Sequence, residues 1–260
     1  MTLPLHLSAV TALAAPRRLV LGPADRVAGS PWATCVAIVA LTVSGFALDR
    51  FTPAPRQWLL GLACWVFLAL LLRSATPTER VQTLVVIVVA SCFEVVGSII
   101  WGVYIYRHHN LPMFVPPGHG MVYLFGLRFT QTAWARRSPG TLVRIALVGA
   151  VGWALIGLTL LSRVDAGGAW GVFVLSVFLV RGRAPQVYAG VFLFVAFLEL
   201  YGVAMGTWAW KPEIPGTGIP NGNPPSGIAS GYVFFDICAI WATPIIIGLW
   251  GAVRAQTPQD

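Results

Sequence analysis

Residues 82–106 read QTLVVIVVASCFEVVGSIIWGVYIY, a stretch of 25 residues in which Glu94 is the one formal charge. About 17–25 apolar residues in an α-helix cross roughly 30 Å of hydrocarbon, so the stretch predicts a transmembrane helix with a carboxylate inside it. A charge at mid-helix costs about 2.5–3.5 kcal/mol on insertion scales. A residue kept at that cost turns toward a protein interior and finds partners there.

Outward from this stretch the chain stays greasy. Apolar residues make up 57% of the 260 positions and charged residues 10%, against about 25% charged in soluble domains. Apolar runs fall near 32–49, 57–73, 82–106, 118–135, 142–162, 166–181, 187–209 and 227–252. The expectation is an all-α integral membrane protein of about eight transmembrane helices. It forms one polytopic domain over 31–260 behind a cytoplasmic or interfacial arm over 1–30. The start of that arm lacks the basic n-region of a signal peptide.

The net charge of +8 does not read as a nucleic-acid stripe. Sixteen of the seventeen basic residues are Arg, gathered at the ends of apolar runs, which suits anchoring at lipid headgroups. With the N-terminus inside, the cytoplasmic side collects eleven of them and the outer side five. That bias predicts an inner (plasma) membrane protein with both termini cytoplasmic.

Glu94 has a counterpart. Glu94-Val-Val-Gly97, followed by Gly102, Tyr104 and Tyr106, matches Glu199-Leu-Tyr-Gly202, followed by Gly206, Trp208 and Trp210. A Pro-rich segment follows each, ending in Pro116-Pro117-Gly118 and in Pro224-Pro225-Ser226-Gly227; eleven residues after Pro117 stands Arg128, and eleven after Pro225 stands Asp236. The spacing predicts two parallel four-helix repeats, near 32–136 and 142–253. Each glycine lies on the face of its glutamate, as a notch for a neighbouring helix, and the aromatic residues fall at the outer interface. Helix starts at Gly118 and Ser226 serve either as rigid turns or as N–H groups open to an anion.

Four ionisable residues thus stand inside apolar helices: Glu94, Arg128, Glu199 and Asp236. Arg128 and Asp236, at matching positions, are expected to pair as a salt bridge between the halves. The glutamates share too little positive charge for both to ionise, so at least one keeps its proton. It then either gives that proton to a substrate, carries it across the membrane, or bonds to backbone and tyrosine.

No metal or cofactor is expected. His108, His109 and His119 bracket one loop without a neighbouring carboxylate or cysteine, and an exposed interfacial loop accounts for them. The four cysteines show no ligand spacing, and nucleotide-binding and hydrolase motifs are absent. Asn221 and Asn223 read as turn residues or as amides at a polar mouth.

The string Glu94-x-x-Gly97, Gly102-x-Tyr104-x-Tyr106, followed by a Pro-rich segment and a new helix, resembles the carotenoid-biosynthesis membrane proteins of the hydratase type. It is more distantly similar to the heterodimeric-type lycopene cyclases. The likeness covers about 30 residues, with an echo at Glu199-x-x-Gly202 and departures at Trp101 and His119. It implies protonation of an isoprenoid double bond, by a buried carboxylic acid, to a carbocation stabilised by aromatic faces.

The expected function is therefore a membrane-embedded enzyme acting on a lipid or isoprenoid. Glu94 and Glu199, with Asp236 and Arg128, form its catalytic set. Tyr104, Tyr106, Trp208, Trp210, His119 and Asn223 face the substrate. The alternatives are a proton-coupled small transporter or flippase, and a non-catalytic membrane subunit with a protein partner or a second copy of the chain.

Overall fold

The computed structural model describes residues 29–256, with side chains as far as Ala252. The arm expected over 1–30 lies, apart from Gly29 and Ser30, outside the described residues. The chain runs α1 (Pro31–Phe51), α2 (Gln57–Arg73), α3 (Pro77–Glu94, continued as a π-helical turn over Val95–Ile100), β1 (Tyr104–Tyr106), α4 (Val115–Thr130) and the short α5 (Ala133–Arg137). It continues as α6 (Pro139–Thr159), α7 (Ala166–Arg181), α8 (Pro185–Met205), β2 (Trp208–Trp210), β3 (Glu213–Ile214), β4 (Ile219–Pro220) and α9 (Ala229–Gln256).

Local chemistry explains the helix starts. Proline stands in the first turn of α1, α3, α4, α6 and α8, where its missing N–H costs nothing and its fixed φ suits the helix. Thr76 and Glu79 close a reciprocal capping box on α3, each satisfying an otherwise orphaned N–H. Asp165 caps α7 by accepting from the Gly168 N–H at 3.0 Å.

Among the described residues, six helices are long and apolar enough to cross a membrane: α1, α2 with the short turn before it, α3 with its π turn, α6, α8 and α9. α4 and α7, at 16 residues each, are shorter. The outward faces carry side chains such as Ile100, Val148 and Leu160, each more than 70% exposed. Such a continuous apolar surface belongs in lipid, and the architecture is that of a multi-pass membrane protein.

Four helices make the centre. α3 packs against α4 and α9, and α8 packs against the same two, so α3 lies diagonally opposite α8. α1 and α2 flank this square on the side of α4, while α6 and α7 flank it on the side of α8.

Two expected helix ends are not helical. Gly102 at φ 69° and Gly206 at φ 74° adopt the left-handed conformation open to glycine. After each the chain turns back as a strand, so the all-α expectation gains two small antiparallel ribbons, β1–β2 and β3–β4.

Candidate functional site

Strand β1 pairs with β2, Tyr104 opposite Trp210 and Tyr106 opposite Trp208. Reciprocal bonds from Arg107 N to Thr207 O and from Lys211 N to Val103 O, each 2.9 Å, extend the ladder at both ends. Alternate residues of a strand share a face, so the four rings gather on one side, with the Tyr104 and Trp210 centroids 4.5 Å apart. That face turns inward, which corrects the expectation of aromatic anchors at the membrane interface: Tyr106, Trp208 and Trp210 are buried.

The glycine three residues after each glutamate explains how the rings get there. A Cβ on Gly97 would lie 2.9 Å from the Tyr104 ring, and one on Gly202 would overlap the Trp208 ring outright. The notch admits an aromatic ring from the ribbon rather than a neighbouring helix. Glu94 precedes its first aromatic by ten residues and Glu199 by nine. The π turn takes up the difference: Trp101 N bonds to Val96 O at 2.7 Å, a wider loop that absorbs one extra residue.

Each carboxylate is held by its own aromatic pair. Glu94 Oε2 accepts from the hydroxyls of Tyr104 and Tyr106, both at 2.7 Å, and Oε1 lies 2.8 Å from His119 Nε2. Glu199 Oε2 accepts from the indole N–H groups of Trp208 at 2.9 Å and Trp210 at 3.2 Å, and Oε1 accepts from the Tyr232 hydroxyl at 3.2 Å. The central square thus supplies one polar residue per helix: Glu94 from α3, His119 from α4, Glu199 from α8 and Tyr232 from α9. Burial, then the neighbouring Glu94 charge and hydrogen bond, push the Tyr104 and Tyr106 hydroxyls well above the ordinary tyrosine range. They therefore stay protonated and donate to Glu94.

These groups line a cavity of about 510 Å³. Its remaining wall is largely apolar, with Phe46, Phe114, Val122 and Phe235 inside. On the α3 side it is walled by Phe93, Val96 and Trp101, which are also about half exposed on the outer surface. The site therefore borders the flank that faces lipid.

The Pro-rich loop closing the cavity is pinned by Asp165, whose carboxylate also accepts from Gly222 N at 2.8 Å and Ser226 N at 2.7 Å. The Ser226 N–H is thus occupied, and Gly118 N bonds to Phe114 O within the helix start, so neither offers an open anion site. Asn223 is exposed and accepts from Trp210 N at 2.8 Å. It fastens β2 and does not reach the cavity, whereas Asn221 is buried and lines it.

The expected Arg128–Asp236 bridge does not form. Arg128 makes two 3.0 Å bonds to Glu79 and a third to Gln131, because α4 brings it to the first turn of α3. Asp236 is buried outside the cavity wall, and its Oδ2 makes no hydrogen bond among the described residues. His119 leaves the exposed histidine loop expected of it and sits buried on Glu94. The residues that sequence reasoning passed over are Tyr232, Glu79 and Asp165. Thr76-Pro-Thr-Glu79 carried a capping-box signal for Glu79; Tyr232 and Asp165 had no local signal.

Chemically the two carboxylates differ. Tryptophan N–H groups can only donate, so Glu199 Oε2 must remain an acceptor, leaving Oε1 as its place for a proton. Glu94 instead faces an imidazole that can exchange protons with it. No protein-family model, curated protein or solved structure matches the chain.

Proposed function

We propose that the protein is a membrane-embedded enzyme that performs acid–base chemistry on a double bond of an isoprenoid or similar unsaturated lipid. The observation that carries this reading is one apolar, aromatic-walled cavity holding two carboxylates with unlike partners. Glu199 is the acid. Its Oε1 proton passes to an alkene carbon, and the rings of Tyr104, Trp208 and Trp210 offer their faces to the cation. Glu94, with His119, is the base. It takes a proton either from a water adding to the cation or from a carbon after ring closure. Returning that proton to Glu199 resets the site, with one water consumed in hydration and none in cyclisation.

The half-exposed Phe93, Val96 and Trp101 support entry of the substrate from the lipid side. A hydrophobic chain need not then cross water to reach the carboxylates.

The same reading takes α4 and α7 as two further membrane crossings, eight in all, in two four-helix repeats. Supporting it are the paired Glu-x-x-Gly segments, the paired left-handed glycines and the reciprocal packing of α3 on α9 and of α8 on α4. The arginine bias supports an inner-membrane location with both ends cytoplasmic.

The test is lipid extraction and mass spectrometry from cells expressing the wild type, Glu94→Gln, Glu199→Gln or no protein. The expected result is a lipid or pigment species that shifts with the wild type alone. Unchanged lipid profiles would overturn the enzyme reading. Solute uptake lost in both variants on an unchanged lipid background would replace it with proton-coupled transport.

A further inference from the structure

The buried polar atoms that make no hydrogen bond among the described residues include His119 Nδ1 at the site and, one helical turn below it, the Tyr123 hydroxyl and Asp236 Oδ2. Tyr123 is 1% exposed and Asp236 2%. An unsatisfied buried polar group costs about 1–3 kcal/mol, and a native fold that retains several calls for an explanation.

Their placement supplies one. Tyr123 follows His119 by four residues on α4, and Asp236 follows Tyr232 by four on α9. Residues four apart share a helix face, about 6 Å along the axis. The His119 and Tyr232 rings already meet at a centroid distance of 4.9 Å, so the two faces converge. Tyr123 and Tyr188 both lie within electrostatic reach of Asp236, and Tyr123 also lies within reach of Glu79. Tyr188 precedes Glu199 by eleven residues on α8, about 16 Å further along, at the end of the bundle where Glu79 holds Arg128. Around this trail the packing is apolar, with Val86, Ala90, Phe235 and Ala239.

We propose that Tyr123 and Asp236 form a proton relay connecting the Glu94–His119–Tyr232–Glu199 site to the aqueous face at the Glu79–Arg128 end. The proposal rests on the acid–base reading above. The Asp236 carboxyl gives its proton to the Tyr123 oxygen as that hydroxyl releases its own proton to His119 Nδ1, and a proton from the aqueous phase at the far face reloads Asp236. No net charge or atom is left on the relay. A bridging water or a small side-chain swing closes each gap. The trail ends at one face only, so protons reach the site from that side of the membrane.

The test uses the full chain in lipid nanodiscs and infrared spectroscopy on transfer to D₂O. The protonated Glu199 carboxyl is identified as the C=O band lost in Glu199→Gln, and its deuterium shift is timed in the wild type, Asp236→Asn and Tyr123→Phe. The tyrosine hydroxyl makes no hydrogen bond among the described residues, so Tyr123→Phe removes none of the bonds seen there and is expected to leave the fold intact. Exchange slowed on the order of a hundredfold in both variants is the expected result. Unchanged exchange in either variant, or no Glu199 band in the wild type, overturns the relay. If the glutamate variants leave cellular lipids unaltered while exchange still slows, the enzyme reading falls and the relay stands.

Discussion

The His119 imidazole and the Tyr232 ring lie with their centroids 4.9 Å apart and their planes 34° from parallel, and each holds a different glutamate. Residues from diagonally opposed α4 and α9 thus bridge carboxylates from diagonally opposed α3 and α8. In the proposed cycle the proton leaving Glu94 returns to Glu199 by way of these two side chains.

Removing either half of that bridge should interrupt the return of the proton. His119→Gln and Tyr232→Phe are each expected to lower turnover about a hundredfold. The double variant should be little worse than either single one, because residues acting as a unit are non-additive. Turnover of the lipid species found by mass spectrometry checks this; strictly additive losses would contradict a shared path.

The glycine notches should be intolerant in a fixed order. Gly202→Ala drives a methyl group into the Trp208 ring, while Gly97→Ala meets the edge of Tyr104 at 2.9 Å. Overpacking of this kind costs about 1–3 kcal/mol, and the larger loss of both stability and turnover is expected for Gly202→Ala. Thermal melting in detergent, alongside lipid conversion, measures it.

Arg128 should matter for folding and not for chemistry. Its guanidinium and the Glu79 carboxylate are each only 12% exposed, and breaking such a pair on one side costs about 3–5 kcal/mol at full burial, less at this partial exposure. Arg128→Met should lower the melting temperature while the surviving folded protein keeps its turnover. Adding Glu79→Gln should recover part of the stability. A turnover loss with normal melting would place Arg128 in the chemistry after all.

Alkaline pH should unfold the protein through its ribbon. The Tyr104 and Tyr106 hydroxyls titrate far higher in the folded state than in the unfolded chain. Above the ordinary tyrosine value, near pH 10, the unfolded state therefore binds fewer protons and stability falls as pH rises. The slope is about 1.4 kcal/mol per pH unit for each such tyrosine. Below that pH their contribution is fully present. Melting curves from pH 9 to 12 should show a shallower decline for Tyr104→Phe and Tyr106→Phe than for the wild type.

Much of this was legible in the sequence because lipid demands long apolar runs. Among the described residues, the helices of 16 residues or more begin within five residues of the expected apolar runs, and Glu94, Glu199 and the four aromatics were visible through their matched spacing. What pairs with what was not visible. Three-residue strands are too short to show a period, so β1 and β2 read as helix ends. Arg128 was assigned to Asp236 by repeat position, whereas the helix start at Thr76 and Pro77 brings Glu79 beneath it from 49 residues earlier. Tyr232 lies 33 residues beyond Glu199 on another helix, where only the folded arrangement brings them together.

The wide turn at Val95–Ile100 has a consequence for how this chain can vary. It lets the backbone gain or shed a single residue upstream of the ribbon without sliding the tyrosines off their carboxylate. Length changes elsewhere between Glu94 and Tyr106 would rotate a ring out of reach, so that turn is the segment's expansion joint. A relative whose first aromatic follows the glutamate by nine positions in place of ten would have an ordinary α-helix there and the same polar grip beyond it.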